Sequence, residues 1–161
     1  MELKDAIKKS MQTEKNAMDF YRLAASKMSK NSARAVFELL AREEREHAAS
    51  FYKIYPGNDI PDFEAFLSGQ SGHEVSWYAS LEKSLESGFT EQKALAFALE
   101  KESGLEQSLR LLASSIKQPE IRAVFEKNAD ETHRHYLLIE ADYARMMGMV
   151  RESEMDTYVR E

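Results

Sequence analysis

The chain has 161 residues and no cysteine, which fits one domain and excludes disulfide scaffolds, thiolate metal sites, iron–sulfur centres and thiol nucleophiles. Its 6 glycines and 3 prolines are too few for an all-β fold, which needs a turn about every 8–12 residues, and good helix formers stand in their place, so the class is all-α. A net charge of −6 with both signs interspersed offers no basic face to nucleic acid, no apolar run reaches the ~18 residues of a membrane span, and the first residues lack the apolar stretch of a signal peptide; the expected setting is cytoplasmic, away from membranes.

Apolar residues recur at spacings of three and four over about 3–30 and 33–53, predicting two helices. They are broken at Lys30-Asn31-Ser32, where Asn31 or Ser32 is the expected cap of the second. Five of the nine Gly and Pro residues fall between Pro56 and Gly72, so about 55–89 reads as a long crossover with a helical piece near 75–86. Long helical patterns follow over about 90–117 and 119–147. Thr90 is placed to cap the first of these, and Pro119 to open the second in the turn that tolerates proline. Residues 149–161 read as a short terminal helix or tail, leaving 1–148 as the domain proper.

The chain also repeats itself. Shifted by 88 positions, residues 7–51 align onto 95–139 without a gap, with 13 of the 45 pairs identical. These include Glu14/Glu102, the block Arg34-Ala35-Val36-Phe37-Glu38 repeated as Arg122-Ala123-Val124-Phe125-Glu126, Glu43/Glu131 and His47/His135. Two copies of a helical hairpin joined by a long crossover predict an antiparallel four-helix bundle of approximate two-fold symmetry.

The apolar seams of these helices carry charge. The first reads Leu3, Ile7, Met11, Glu14, Met18, Tyr21, Ala25, Met28, and the second Phe37, Leu40, Glu44, His47, Phe51. The third is Leu95, Ala98, Glu102, Leu105, Leu109, Leu112, Ile116, and the fourth Phe125, Asn128, Thr132, His135, Ile139. Burying unpaired carboxylates costs several kcal/mol each, and the seams supply no Lys or Arg to offset it. Bound metal resolves the conflict. Carboxylate oxygen with imidazole nitrogen suits iron, manganese or zinc better than copper(I) or a cluster, and the repeat suggests two ions.

Glu14 with Ala17, Phe20 and Tyr21 after it, then Leu40-Ala41-Arg42-Glu43-Glu44-Arg45-Glu46-His47, resembles the rubrerythrin branch of the ferritin-like di-iron carboxylate proteins over residues 3–147. The resemblance implies a ferritin-like bundle with two iron ions per chain. It makes Glu14 and His47 ligands of the first ion, Glu102 and His135 ligands of the second, and Glu44 a carboxylate bridging both. Tyr21 matches the tyrosine that hydrogen-bonds a ligand carboxylate. The implied activity is reduction of hydrogen peroxide or oxygen with electrons from a separate donor protein, in a homodimer or larger homo-oligomer. The alternatives are a ferroxidase or iron-handling protein with ferrous iron as substrate, or a structural bundle with a degenerate metal site.

Two positions depart from the family pattern. Thr132 stands where a second bridging glutamate belongs, which makes the second ion the weaker one. Leu105 replaces a further glutamate of rubrerythrins proper, a departure that bears on peroxidase behaviour. A rubredoxin-like tail would need four cysteines, and the chain has none. Glu43 and Glu131 lie about 100° round the helix from the ligand position and are expected in surface ion pairs, so that Glu43→Ala should not abolish metal binding; Glu131 alone is placed to swing in for Thr132. His73 and His133 are expected to be exposed, Gly104 to allow close helix approach, and Met146, Met147 and Met149 to pack at the bundle end or against another subunit.

Overall fold

Among the described residues four long helices are paired into two hairpins. The structure is a computed structural model that describes residues 2–69, 83 and 90–159, with side chains as far as residue 148. Helix α1 spans Leu3–Lys27, α2 Asn31–Ile54, α3 Phe63–Ser68, α4 Glu91–Ser115 and α5 Pro119–Val159. There is no strand among the described residues, and the architecture is the all-α bundle of two helical hairpins that the repeat implies. No described helix is long and apolar enough to cross a membrane.

The two halves end their first helices alike. Met28 and Ile116, 88 residues apart, are both extended and buried, and their N–H groups donate to Ala25 and Ala113 carbonyls at 3.2 Å. Thr90 caps α4 by accepting from Lys93 N at 3.1 Å, and Pro119 opens α5. The start of α2 differs from expectation. Neither Asn31 nor Ser32 caps it, since the helix already begins at Asn31 after an uncapped Lys30. The turn is held instead by the Arg34 guanidinium, which donates to Met28 O at 2.9 Å.

Helix α5 runs on through Gly148 to Val159, past the point where the sequence places a separate terminal helix or tail. A lone glycine costs a helix only about 1 kcal/mol, and no proline follows to stop it. The crossover contains α3, capped by Asp62 accepting from Ala65 N at 2.9 Å. The helical piece expected near 75–86, His73 and the Met149 side chain lie outside the described residues.

Packing is closest within each hairpin, α1 on α2 and α4 on α5, and sparser between them, where α1 meets α4 and α2 meets α5. Two apolar clusters fill the interior. One gathers Met18, Tyr21, Phe37, Leu40, Leu95 and Ile139, and Met146 packs against it. The other gathers Ile7, Met11, Phe51, Leu109, Ile116 and Phe125. The charged seam residues form the layer between the two.

Candidate metal centre

All four long helices contribute to this layer, because each carries its polar residue at the seam position midway between apolar turns. Glu14 comes from α1, Glu44 and His47 from α2, Glu102 from α4, and Thr132 and His135 from α5. Each is at most 3% exposed. Nδ1 of His47 lies 3.5 Å from Glu44 Oε2 and 3.6 Å from Glu14 Oε2. Nδ1 of His135 lies 3.0 Å from Glu44 Oε1 and 3.8 Å from Glu102 Oε1. The two imidazoles stack with centroids 5.2 Å apart and planes 15° from parallel. The five candidate ligands named from the sequence are thus brought to one place.

Few of these atoms are satisfied. Both oxygens of Glu14 and of Glu44, Glu102 Oε2 and both Nδ1 atoms have no hydrogen-bond partner. Buried polar groups are nearly always bonded, so so many orphans in one layer need a common partner. Among the described residues no lysine or arginine forms an ion pair with these glutamates; buried Lys15 directs its ammonium to Asp19 at 2.6 Å. One ligand atom each from Glu44, His47 and His135 lies within 4.8 Å of the other two. An ion bonded at about 2.1 Å to each ligand holds neighbouring donors roughly 3.0–3.4 Å apart, close to the shorter distances seen. The donor set therefore fits divalent metal, with Glu44 placed between the two histidines and Glu14 and Glu102 flanking it.

The outer sides of the imidazoles are occupied, and here the sequence expectation is corrected. Nε2 of His47 pairs with Glu131 Oε2 at 2.6 Å, and Nε2 of His135 pairs with Glu43 Oε2. Glu131 also lies 3.8 Å from Arg134, the surface ion pair expected of it, but both glutamates reach across the hairpin boundary to hold the other half's histidine. A carboxylate on Nε2 keeps a proton there and leaves Nδ1 as the nitrogen facing the layer, where a metal would displace its proton and take the lone pair. In this arrangement Glu131 lies on His47 and not at Thr132. The repeat had marked this pair by its identity, but the angle from each residue's own ligand position pointed away from the site.

Tyr21 bonds across the same boundary, donating its hydroxyl to Glu102 Oε1. Its repeat equivalent is Leu109, so the two halves differ: Glu102 has a tyrosine on it and Glu14 does not.

Without metal the layer must store protons. Burial and the neighbouring Glu44 push the Glu14 carboxyl well up, and the same two causes raise Glu102. Burial opposes ionisation of Glu44, but the adjacent Glu14 carboxyl and the two imidazoles outweigh it and hold Glu44 below the usual carboxylate range. Burial pulls His47 down, yet Glu44 and Glu14 push it up to about 12; His135, through Glu102 and Glu44, rises to about 10. Burial and Glu102 keep the Tyr21 phenol well above its usual range.

A cleft of about 540 Å³ between α1 and α4 reaches this layer, with Ser10, Ala17, Phe20, Leu105, Tyr21 and Glu102 in its walls. Gly104 also borders it, and an added Cβ there would meet nothing within 4 Å. Gly104 therefore does not serve the close helix approach expected of it. His133 is exposed, as expected, and pairs with Glu106 at 2.9 Å.

A buried carboxylate–imidazole layer crossing a bundle of two repeated helical hairpins defines a ferritin-like carboxylate metal protein. The family model for rubrerythrin matches residues 5–136. The chain belongs to the rubrerythrin family, a ferritin-like di-iron domain. No curated protein and no solved structure matches it significantly.

Proposed function

We propose that the chain is a non-haem di-iron oxidoreductase that reduces hydrogen peroxide or oxygen, drawing electrons from a separate donor protein. The observation that carries this is the set of unpartnered ligand atoms on Glu14, Glu44, Glu102, His47 and His135 in one buried layer. A ferrous pair would supply two electrons, and hydrogen peroxide takes up two electrons and two protons to become two waters. The protein's part is to hold the ligands ready. Glu43 and Glu131 fix the imidazole tautomers, Tyr21 orients Glu102, and the apolar clusters on either side keep bulk water out. The cleft beside Glu102 gives a small oxidant a way in.

Glu14, Glu44 and His47 are assigned to the first ion; Glu102 and His135, sharing Glu44, are assigned to a weaker second. Manganese or zinc would suit the same donors. Anaerobic iron loading followed by metal analysis and stopped-flow mixing tests the proposal. About two ions per chain, with the reduced form reacting faster with peroxide than with oxygen and the protein staying a small oligomer, is the expected result. Growth of a high-mass, mineral-laden species on repeated oxidation would replace this function with iron storage.

A further inference from the structure

On α5 the register that Glu44 occupies on α2 is filled by Thr132. Its side chain is fully buried and its hydroxyl has no partner. A helical threonine commonly bonds back to the carbonyl four residues earlier, as Thr13 does to Lys9 O at 2.8 Å; Thr132 does not. One turn before it on the same seam, Asn128 donates its amide to Ser50 Oγ at 3.0 Å and to Val124 O at 2.7 Å, and its Oδ1 is left unpartnered. In the first half the same two positions are Leu40 and Glu44. The seam is thus polar, buried and incompletely bonded on the one helix that lacks its carboxylate. An unsatisfied buried hydroxyl costs about 1–3 kcal/mol.

Charge points the same way, given the two-ion centre proposed above. Two divalent ions bring +4 and Glu14, Glu44 and Glu102 bring −3, with both imidazoles neutral. The remaining positive charge would sit in a layer bounded by apolar clusters, where an uncompensated charge is expensive. Glu131 and Glu43 lie on the outer nitrogens of the histidines and offer the pair no ligand oxygen at the Thr132 position.

We propose that the centre takes one ligand from solution: a small external carboxylate of the formate class occupies the place of the missing glutamate head group and accepts a hydrogen bond from Thr132 Oγ. One such anion restores neutrality and satisfies the hydroxyl. Glutamate supplies its carboxylate on a tether, and this chain leaves the position exchangeable.

The test is calorimetric titration of the metal-free protein with cobaltous ion in a non-coordinating buffer, with formate or with perchlorate at equal ionic strength. In the wild type, formate at ten times its dissociation constant should tighten the second binding step about tenfold and leave the first unchanged. Thr132→Val keeps the charge deficit without the donor, so its response to formate should be several-fold smaller. Thr132→Glu should bind the second ion tightly and ignore formate. A second step in the wild type that is the same in formate and perchlorate overturns the proposal, as does an undiminished response in Thr132→Val. Both results stand even if Thr132→Glu fails to fold. Uptake that stops at one ion with or without formate would overturn the two-ion centre itself, whereas two ions bound without regard to formate would overturn only the external ligand.

Discussion

The carboxylates behind the two histidines offer the sharpest perturbation. Replacing Glu131 with alanine removes the 2.6 Å contact on His47 Nε2 and leaves every inward-facing ligand in place. The imidazole then loses the group that fixes its tautomer and raises its basicity. Loss of such a partner generally lowers metal affinity 10–100-fold, or about 1.4–2.8 kcal/mol at 1.4 kcal/mol per tenfold. Glu43→Ala does the same to His135. The Glu131 side chain is 29% exposed and that of Glu43 46%, so water screens Glu43 more and its loss should fall at the lower end of the range. Because the partners cross between halves, Glu131→Ala should weaken the first binding step and Glu43→Ala the second. Competition of cobaltous ion between the protein and a chromophoric chelator measures both steps. Glu126→Ala, which only breaks an exposed ion pair with Arg122 at 2.8 Å, is the control. Affinities within threefold of wild type in both variants would show that the contacts do not tune the ligands.

Three further outcomes are expected. Replacing Glu14 and Glu102 together by alanine should abolish metal uptake, and inductively coupled plasma analysis showing full occupancy would remove both from the ligand set. In the metal-free protein the raised His47 and His135 stabilise the fold fully below their ordinary pKa near 6.5, and lose that contribution as pH climbs toward about 10 and 12. The metal-free melting temperature should therefore fall between pH 6.5 and 9, while metal binding, which displaces at least those two protons, should tighten over the same range; calorimetry in buffers of different ionisation enthalpy counts the protons. Phe51→Ala, which empties a fully buried aromatic packed edge-on against Phe125 at 4.9 Å, should cost about 3–5 kcal/mol by urea denaturation, and a loss under 1 kcal/mol would mean that the second apolar cluster is not well packed.

The bundle and its buried charged layer are legible because both are written in a period. Glu14, Glu44, His47, Glu102 and His135 each interrupt an apolar seam, and the 88-residue shift marks four of them as two pairs. Contacts between helices were not legible in the same way. Glu43 and Glu131 lie off their own seams, and only the sideways placement of α2 against α5 turns them onto the opposite histidines. Tyr21 was placed by resemblance, but that its partner is Glu102 and not the nearby Glu14 depends on how α1 sits against α4. Gly104 shows the reverse error: a glycine near a ligand suggested crowding, and the space beside it is open. The start of α2 misled because asparagine and serine are strong caps in general, whereas here a guanidinium from inside the helix closes the turn.

The position of the polar layer also shapes how the bundle opens. The bonds from Tyr21 to Glu102, Glu43 to His135 and Glu131 to His47 all join one hairpin to the other, at a boundary where backbones pack least closely. Metal shared by Glu44 and the two histidines would tie the same boundary. The centre is therefore a clasp between two halves that are each stitched along their own length. With the clasp empty, the hairpins are expected to exchange their amide hydrogens as two separate units; with it filled, they should exchange as one. Opening along this boundary would expose the ligands without melting a helix, which gives the interior a route for loading and release.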